Sequence, residues 1–126
     1  MIARISTLLC MLLCGCASEV VRHESALVES AAPARFVVSA PVALRLDSGY
    51  ERTIAAGTRL VEFGRIPEGR VLKPVSASFT VEGRHIHEAY PVDHAGRLVG
   101  FYLPVEKAFS PLSNPVTLSL QGDPAK

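Results

Sequence analysis

The sequence predicts an all-β domain, a small barrel or sandwich, on two kinds of observation. From Phe36 onward, short runs rich in Val, Leu, Ile, Phe and Tyr recur, and several alternate apolar with polar residues in the period of a half-buried strand. Between the runs stand clusters that suit tight turns: Asp47-Ser48-Gly49, Ala56-Gly57, Pro67-Glu68-Gly69, Glu82-Gly83, Asp93 to Gly96 and Ser113-Asn114-Pro115. The only helical candidate inside the domain is "VEKAF" at 105–109, one turn at most.

Taken in order, the chain opens with Met1 to Arg4, which carries one positive charge. The apolar run Ile5 to Leu13 follows, broken only by Ser6 and Thr7, and ends at small residues around Gly15. That order is the one a secretory signal uses. A spanning helix needs about 20 apolar residues, and Glu19 and Arg22 interrupt this run first. All three cysteines, Cys10, Cys14 and Cys16, lie here, and none follows Cys16. A metal clip or redox pair would need further ligands or a resolving partner.

The four residues Leu13-Cys14-Gly15-Cys16 resemble the lipobox of bacterial lipoproteins: an aliphatic residue, two small ones, then cysteine. The resemblance, which covers only Met1 to about Ser18, implies cleavage of residues 1–15 as a signal peptide and lipidation of Cys16 on its sulfur and new amino group. Cys10 and Cys14 then leave with the signal, so no thiol pair remains and the one remaining cysteine is blocked. Several acyl chains anchor stably where one binds only marginally, so the implied partner of Cys16 is the membrane. Ala17 and Ser18 stand where Asp would retain a lipoprotein at the inner membrane, which implies the cell outer membrane, facing the periplasm.

Residues 16–35, "ASEVVRHESALVESAAPAR" after the cysteine, are rich in Ala, Ser and Glu and read as the lipidated N-terminus and a flexible tether. Val20, Val21, Leu27, Val28 and Ala31 fall at helical spacing, but so thin a stripe needs a partner to stay folded. As a free chain the segment would reach about 20 to 25 Å. Residues 36–122 form the β domain, and 123–126 a C-terminal tail. Loss of the signal removes only Arg4 from 13 Lys and Arg, against 12 Asp and Glu. The resulting balance leaves no field to steer nucleic acid.

Within the domain, Val42, Leu44 and Leu46 alternate against Ala43 and Arg45, and "TRLVEF", "RVLKPV", "SFTV", "HIHEAYPV", "RLVGFYL" and "PVTLSL" follow. Pro41, Pro74, Pro91, Pro104, Pro111 and Pro115 lack an amide donor and belong at strand ends, edges or bulges. "GTRLVEFGRIPEGRVLKPV" followed by a long hairpin loosely resembles the meander of SH3-type small barrels.

The segment "RHIHEAYPVDHAGRLVGFYLP" carries the most chemistry. Asp93 and Gly96 suit the first and last positions of a type I turn, folding His85 to Val92 back on Arg97 to Leu103. Ile86, Glu88, Tyr90 and Val92 then share a core face with Val99, Phe101 and Leu103, while His85, His87 and Ala89 share the other with Leu98, Gly100 and Tyr102. His85 and His87 can hold one metal ion if His94, His23 or an acidic residue supplies a third ligand. A bare H-x-H lacks the fixed ligand spacing of specific motifs, so the preferred reading is a polar stripe on the solvated face beside Tyr102. Glu88, the misfit of the core face, is expected to pair with Arg84 or Arg97, or to sit at a strand edge in water, rather than to act as an acid or base.

No nucleophile elbow, P-loop or dinucleotide fingerprint occurs, so neither an enzyme nor a cofactor is expected. The expected function is a non-catalytic binding or scaffold module anchored at the outer membrane, serving an envelope protein partner through edge strands and exposed apolar residues such as Tyr102. The alternatives are a divalent-metal binder or sensor using His85 and His87, and a small periplasmic enzyme inhibitor.

Overall fold

In the computed structural model, which describes residues 19–124, every regular element is a strand. In chain order these are β1 (His23–Glu24), β2 (Val28–Glu29), β3 (Arg35–Val38), β4 (Val42–Arg45), β5 (Glu51–Ile54), β6 (Arg59–Ile66) and β7 (Gly69–Pro74). They continue with β8 (Thr80–Glu82), β9 (Ile86–Glu88), β10 (Tyr90–His94), β11 (Arg97–Leu103), β12 (Ala108–Thr117) and β13 (Leu120–Gly122). Nine make one antiparallel sheet in the order β1-β12-β11-β10-β7-β6-β3-β13, with β2 also on β6. The hairpins β4-β5 and β8-β9 are separate two-stranded sheets. The all-β prediction holds in its sandwich-like form, and the main sheet does not close into a barrel.

The sheet is buried on both faces. One face gives Val38, Leu60, Leu72, Leu98, Phe101 and Leu103 to a core completed by Val42, Leu44 and Ile54 of β4-β5 and by Val81 of β8. As predicted, β4 turns Val42 and Leu44 inward and Ala43 and Arg45 outward. The other face gives Val71, Val92, Tyr102 and Phe109 to a second core that includes Leu27, from the segment predicted to be a tether.

The predicted hairpin forms with different details. Strand β10 pairs with β11 from Tyr90↔Tyr102 to His94↔Arg97, so only Ala95 and Gly96 turn the chain. Both have positive φ, 51° and 79°, the pattern of a two-residue I′ turn rather than type I. Asp93 is therefore a strand residue, opposite Arg70 of β7. His85 to Glu88 do not join this hairpin: β9 pairs with β8, with His87 opposite Val81.

The predicted facing of β11 is also corrected. Val92 pairs with Gly100 and Asp93 with Leu98, leaving Val99 as an extra, bulged residue. An inserted residue reverses side-chain alternation beyond it. Leu98 accordingly shares the first core with Phe101 and Leu103, while Val99 joins Tyr102 in the second. Tyr102 is only 3% exposed, which removes it as a surface contact for a partner.

Pro41 and Pro104 flank strands, Pro74 ends one, and Pro111 and Pro115 bracket the β12 residues looped out between Gly100↔Pro111 and Leu98↔Val116. Pro91, the second residue of β10, is fully buried and lies outside the Val92–Asp93 stretch that pairs with β7. The predicted helical turn is absent: residues 104–107 form the tight turn into β12, with Lys107 at a φ of 53°.

Residues 19–35 run along the domain instead of away from it. Strand β1 adds to β12 through His23↔Phe109 and Glu24↔Ala108, whereas β2 adds to β6 through Val28↔Arg65 and Glu29↔Gly64. Glu24 and Val28 are four Cα steps apart, about 14 Å at most. Laid flat at about 4.8 Å per strand, the intervening strands would hold β1 and β2 about 30 Å apart. The sheet must coil, and residues 23–29 lace its two flanks together over the second core. At the other end, the Asp123 amide donates to the Arg35 carbonyl (3.0 Å), tying the tail to the start of β3.

Candidate functional site

The densest polar cluster joins the start of the described chain to the domain. Glu19 extends its two carboxylate oxygens to His85 Nδ1 at 2.5 Å and His87 Nε2 at 3.1 Å. His87 Nδ1 meets Glu106 Oε1 at 2.8 Å. Short β9 supplies His87 and leaves His85 exposed just before its start, while the β11–β12 turn supplies Glu106. The neighbouring Val20 is buried in the first core, so an apolar contact and a charged one hold consecutive residues.

His87 lies 6% exposed between two carboxylates. Hydrogen bonds from His85, the Val20 amide and His87 hold Glu19 down to about 2 from an ordinary 4.5. The outer oxygen of Glu106 is buried without a hydrogen bond.

A second polar contact secures the lacing segment. Glu68, in the β6–β7 turn, meets His23 Nε2 and accepts from the Ser25 hydroxyl, both at 2.8 Å. Burial alone would push its carboxyl above the ordinary carboxylate range, and the bonds from His23 and Ser25 outweigh that and hold it below. His23 also sets its edge on Phe109, with ring centroids 5.5 Å apart. Further along, the Ser30 hydroxyl donates to Glu62 at 2.9 Å.

The structure thus unites His85 and His87, as their spacing predicts, but as the docking point for Glu19 rather than a solvated stripe. His94 stands exposed at the β10 turn, and His23 is engaged with Glu68. Among the described residues, no group of three or more His, Cys, Asp or Glu is arranged to hold a metal ion. Glu88 pairs with neither expected arginine among the bonds described. It accepts from the Tyr90 hydroxyl at 3.1 Å, which with burial pushes that phenol up to about 12. Arg97 instead donates to the Pro115 carbonyl at 3.0 Å. Cys16 lies outside the described residues, as do residues 1–15.

Glu19, Glu68 and Glu106 escape sequence reasoning. Each is a lone acid in a loop or turn, and only the assembled sheet brings it to its histidine. What fold and cluster define is a sandwich-like β domain with its own N-terminal segment clasped across it. Comparison with protein-family models, with curated proteins and with solved structures finds no match. Among the described residues no helix is long and apolar enough to cross a membrane.

Proposed function

We propose that the chain is a lipoprotein of the bacterial outer membrane, anchored through Cys16 and facing the periplasm, whose β domain is a non-catalytic binding or scaffold module for an envelope protein. The observation that carries this reading is the motif Leu13-Cys14-Gly15-Cys16 closing a short apolar run. The polar cluster supports the non-catalytic part, because its carboxylates and imidazoles are engaged with one another in holding the N-terminal segment. A metal at His85 and His87 would have to displace Glu19, and Glu106 as well if it took Nδ1 of His87.

Fatty-acid labelling tests the anchor. Wild-type chain, Cys10→Ser and Cys14→Ser are expected to carry label and to fractionate with membranes, whereas Cys16→Ser loses both properties. Label retained in Cys16→Ser would overturn the proposal.

A further inference from the structure

Of the large apolar side chains most exposed among the described residues, three sit beside the Glu19 cluster: Val21 at 56%, Ile86 at 69% and Val105 at 75%. Ile86 separates the two histidines, Val105 precedes Glu106, and Val21 follows buried Val20. Because Glu19 bonds both histidines and His87 bonds Glu106, the three backbone segments converge at one corner. The two remaining such side chains, Val28 and Val75, belong to the β6–β7 side: Val28 pairs with Arg65 and the Val75 amide donates to the Arg59 carbonyl.

Scattered exposed apolar residues are normal on a soluble surface. Here position distinguishes them. Cys16 is three Cα steps from Glu19, so it reaches at most about 11 Å from the corner where Glu19 is fixed. Exposed Arg22, Arg84 and Lys107 lie within two residues of Val21, Ile86 and Val105, and apolar side chains among basic ones suit an anionic lipid surface. Of the nearby acids, Glu19 and Glu106 meet the histidines and Glu88 accepts from Tyr90, while Glu82 stands opposite Ile86 and Glu24 opposite Ala108, so the three basic residues face two further carboxylates.

We infer that this corner is a bilayer-contacting face, which seats Val21, Ile86 and Val105 at the lipid surface beside the anchored cysteine and fixes the orientation of the domain. The inference rests on the lipoprotein reading above. A bilayer is the occupant because the chain outside the described residues ends at this corner and, on that reading, carries acyl chains three residues away. A free tether of 20 residues would let the domain tumble, whereas a clasp at Glu19 leaves only a short link.

The test uses the full chain, purified with its lipid and reconstituted in vesicles of phosphatidylethanolamine and phosphatidylglycerol that contain a spin-labelled quencher lipid. A fluorophore is placed on single thiols introduced as Ile86→Cys, Val105→Cys and, as control, Val75→Cys. Quenching at positions 86 and 105 is expected to exceed that at position 75 severalfold. Equal quenching at all three sites, or none at 86 and 105 in vesicle-bound protein, would overturn the inference, and the latter would turn the face toward solution and a protein partner. Mass analysis of the N-terminal peptide separates the two readings. An acylated Cys16 with unquenched reporters sinks the bilayer face alone; a chain without acyl groups sinks the anchor and the face together.

Discussion

Strand β11 and the segment from Glu19 to Glu29 are held to the same sheet by opposite means. Strand β11 is a seven-residue run flanked by β10 and β12 and buried on both faces, so apolar packing along its whole length fixes it. The N-terminal segment contributes two strands of two residues each. It stays in place through single contacts: Glu19 on two histidines, Val20 and Leu27 in separate cores, and His23 and Ser25 on Glu68. A continuous ladder opens with the whole domain. A row of point contacts can open by itself, since segments with little buried area unfold locally at lower free energy.

The largest effect should come from the strand. Phe101→Ala removes a fully buried ring stacked on Phe79 with centroids 5.5 Å apart, and is expected to cost about 4 kcal/mol of global stability in denaturant titration. A loss below about 1 kcal/mol would show that β11 is not the central packed element.

Glu19→Gln is expected to act locally. It should accelerate hydrogen exchange at Ser25 and Ser30, whose amides donate to the Lys107 and Phe63 carbonyls, while leaving amides of β10 and β11 unchanged, and uniform acceleration would show that clasp and sheet open together. Acid should reproduce the effect. The carboxyl of Glu19 is depressed from 4.5 to about 2, so its contribution is complete above pH 4.5 and is lost as pH falls toward 2. Protection in the segment, taken relative to the intrinsic exchange rate at each pH, should therefore fall across that window in the wild type and less in Glu19→Gln.

The smallest effect lies in the β10–β11 turn, where Ala95 carries a side chain at a φ of 51°. Asparagine tolerates this left-handed conformation better and is favoured before glycine in two-residue hairpins. Ala95→Asn should raise the denaturation midpoint by the equivalent of about 0.5 kcal/mol. A decrease would mean that the turn is not of the I′ kind.

What the sequence revealed follows the same division. Alternation in "VALR" and the turn near Gly96 are local signals, and both features form where local chemistry puts them. The facing of Phe101 against Leu98 depends on the bulge at Val99, which the alternating pattern cannot register because Leu, Val, Phe and Tyr are apolar on both sides. Ile86 and His87 exchange faces relative to expectation because β9 belongs to β8 rather than to the long hairpin. For the segment before β3, two-residue strands have no measurable period. Its partners Glu68, His85, His87 and Glu106 are distant in sequence, so its polar composition reads as tether until the fold supplies them.

The lacing of β1 to β12 also has a consequence for the order in which the molecule assembles. His23, among the first residues of the domain to leave a ribosome or a translocation pore, pairs with Phe109, among the last. Contacts of such long sequence separation bear a large loop-closure cost and form late. The β10–β11 hairpin, with its two-residue connection, can form as soon as it emerges, and β6, β7 and β12 can add around it. The segment nearest the N-terminus then waits for both flanks of the sheet to exist, so the first part of the domain to be released is the last to be folded.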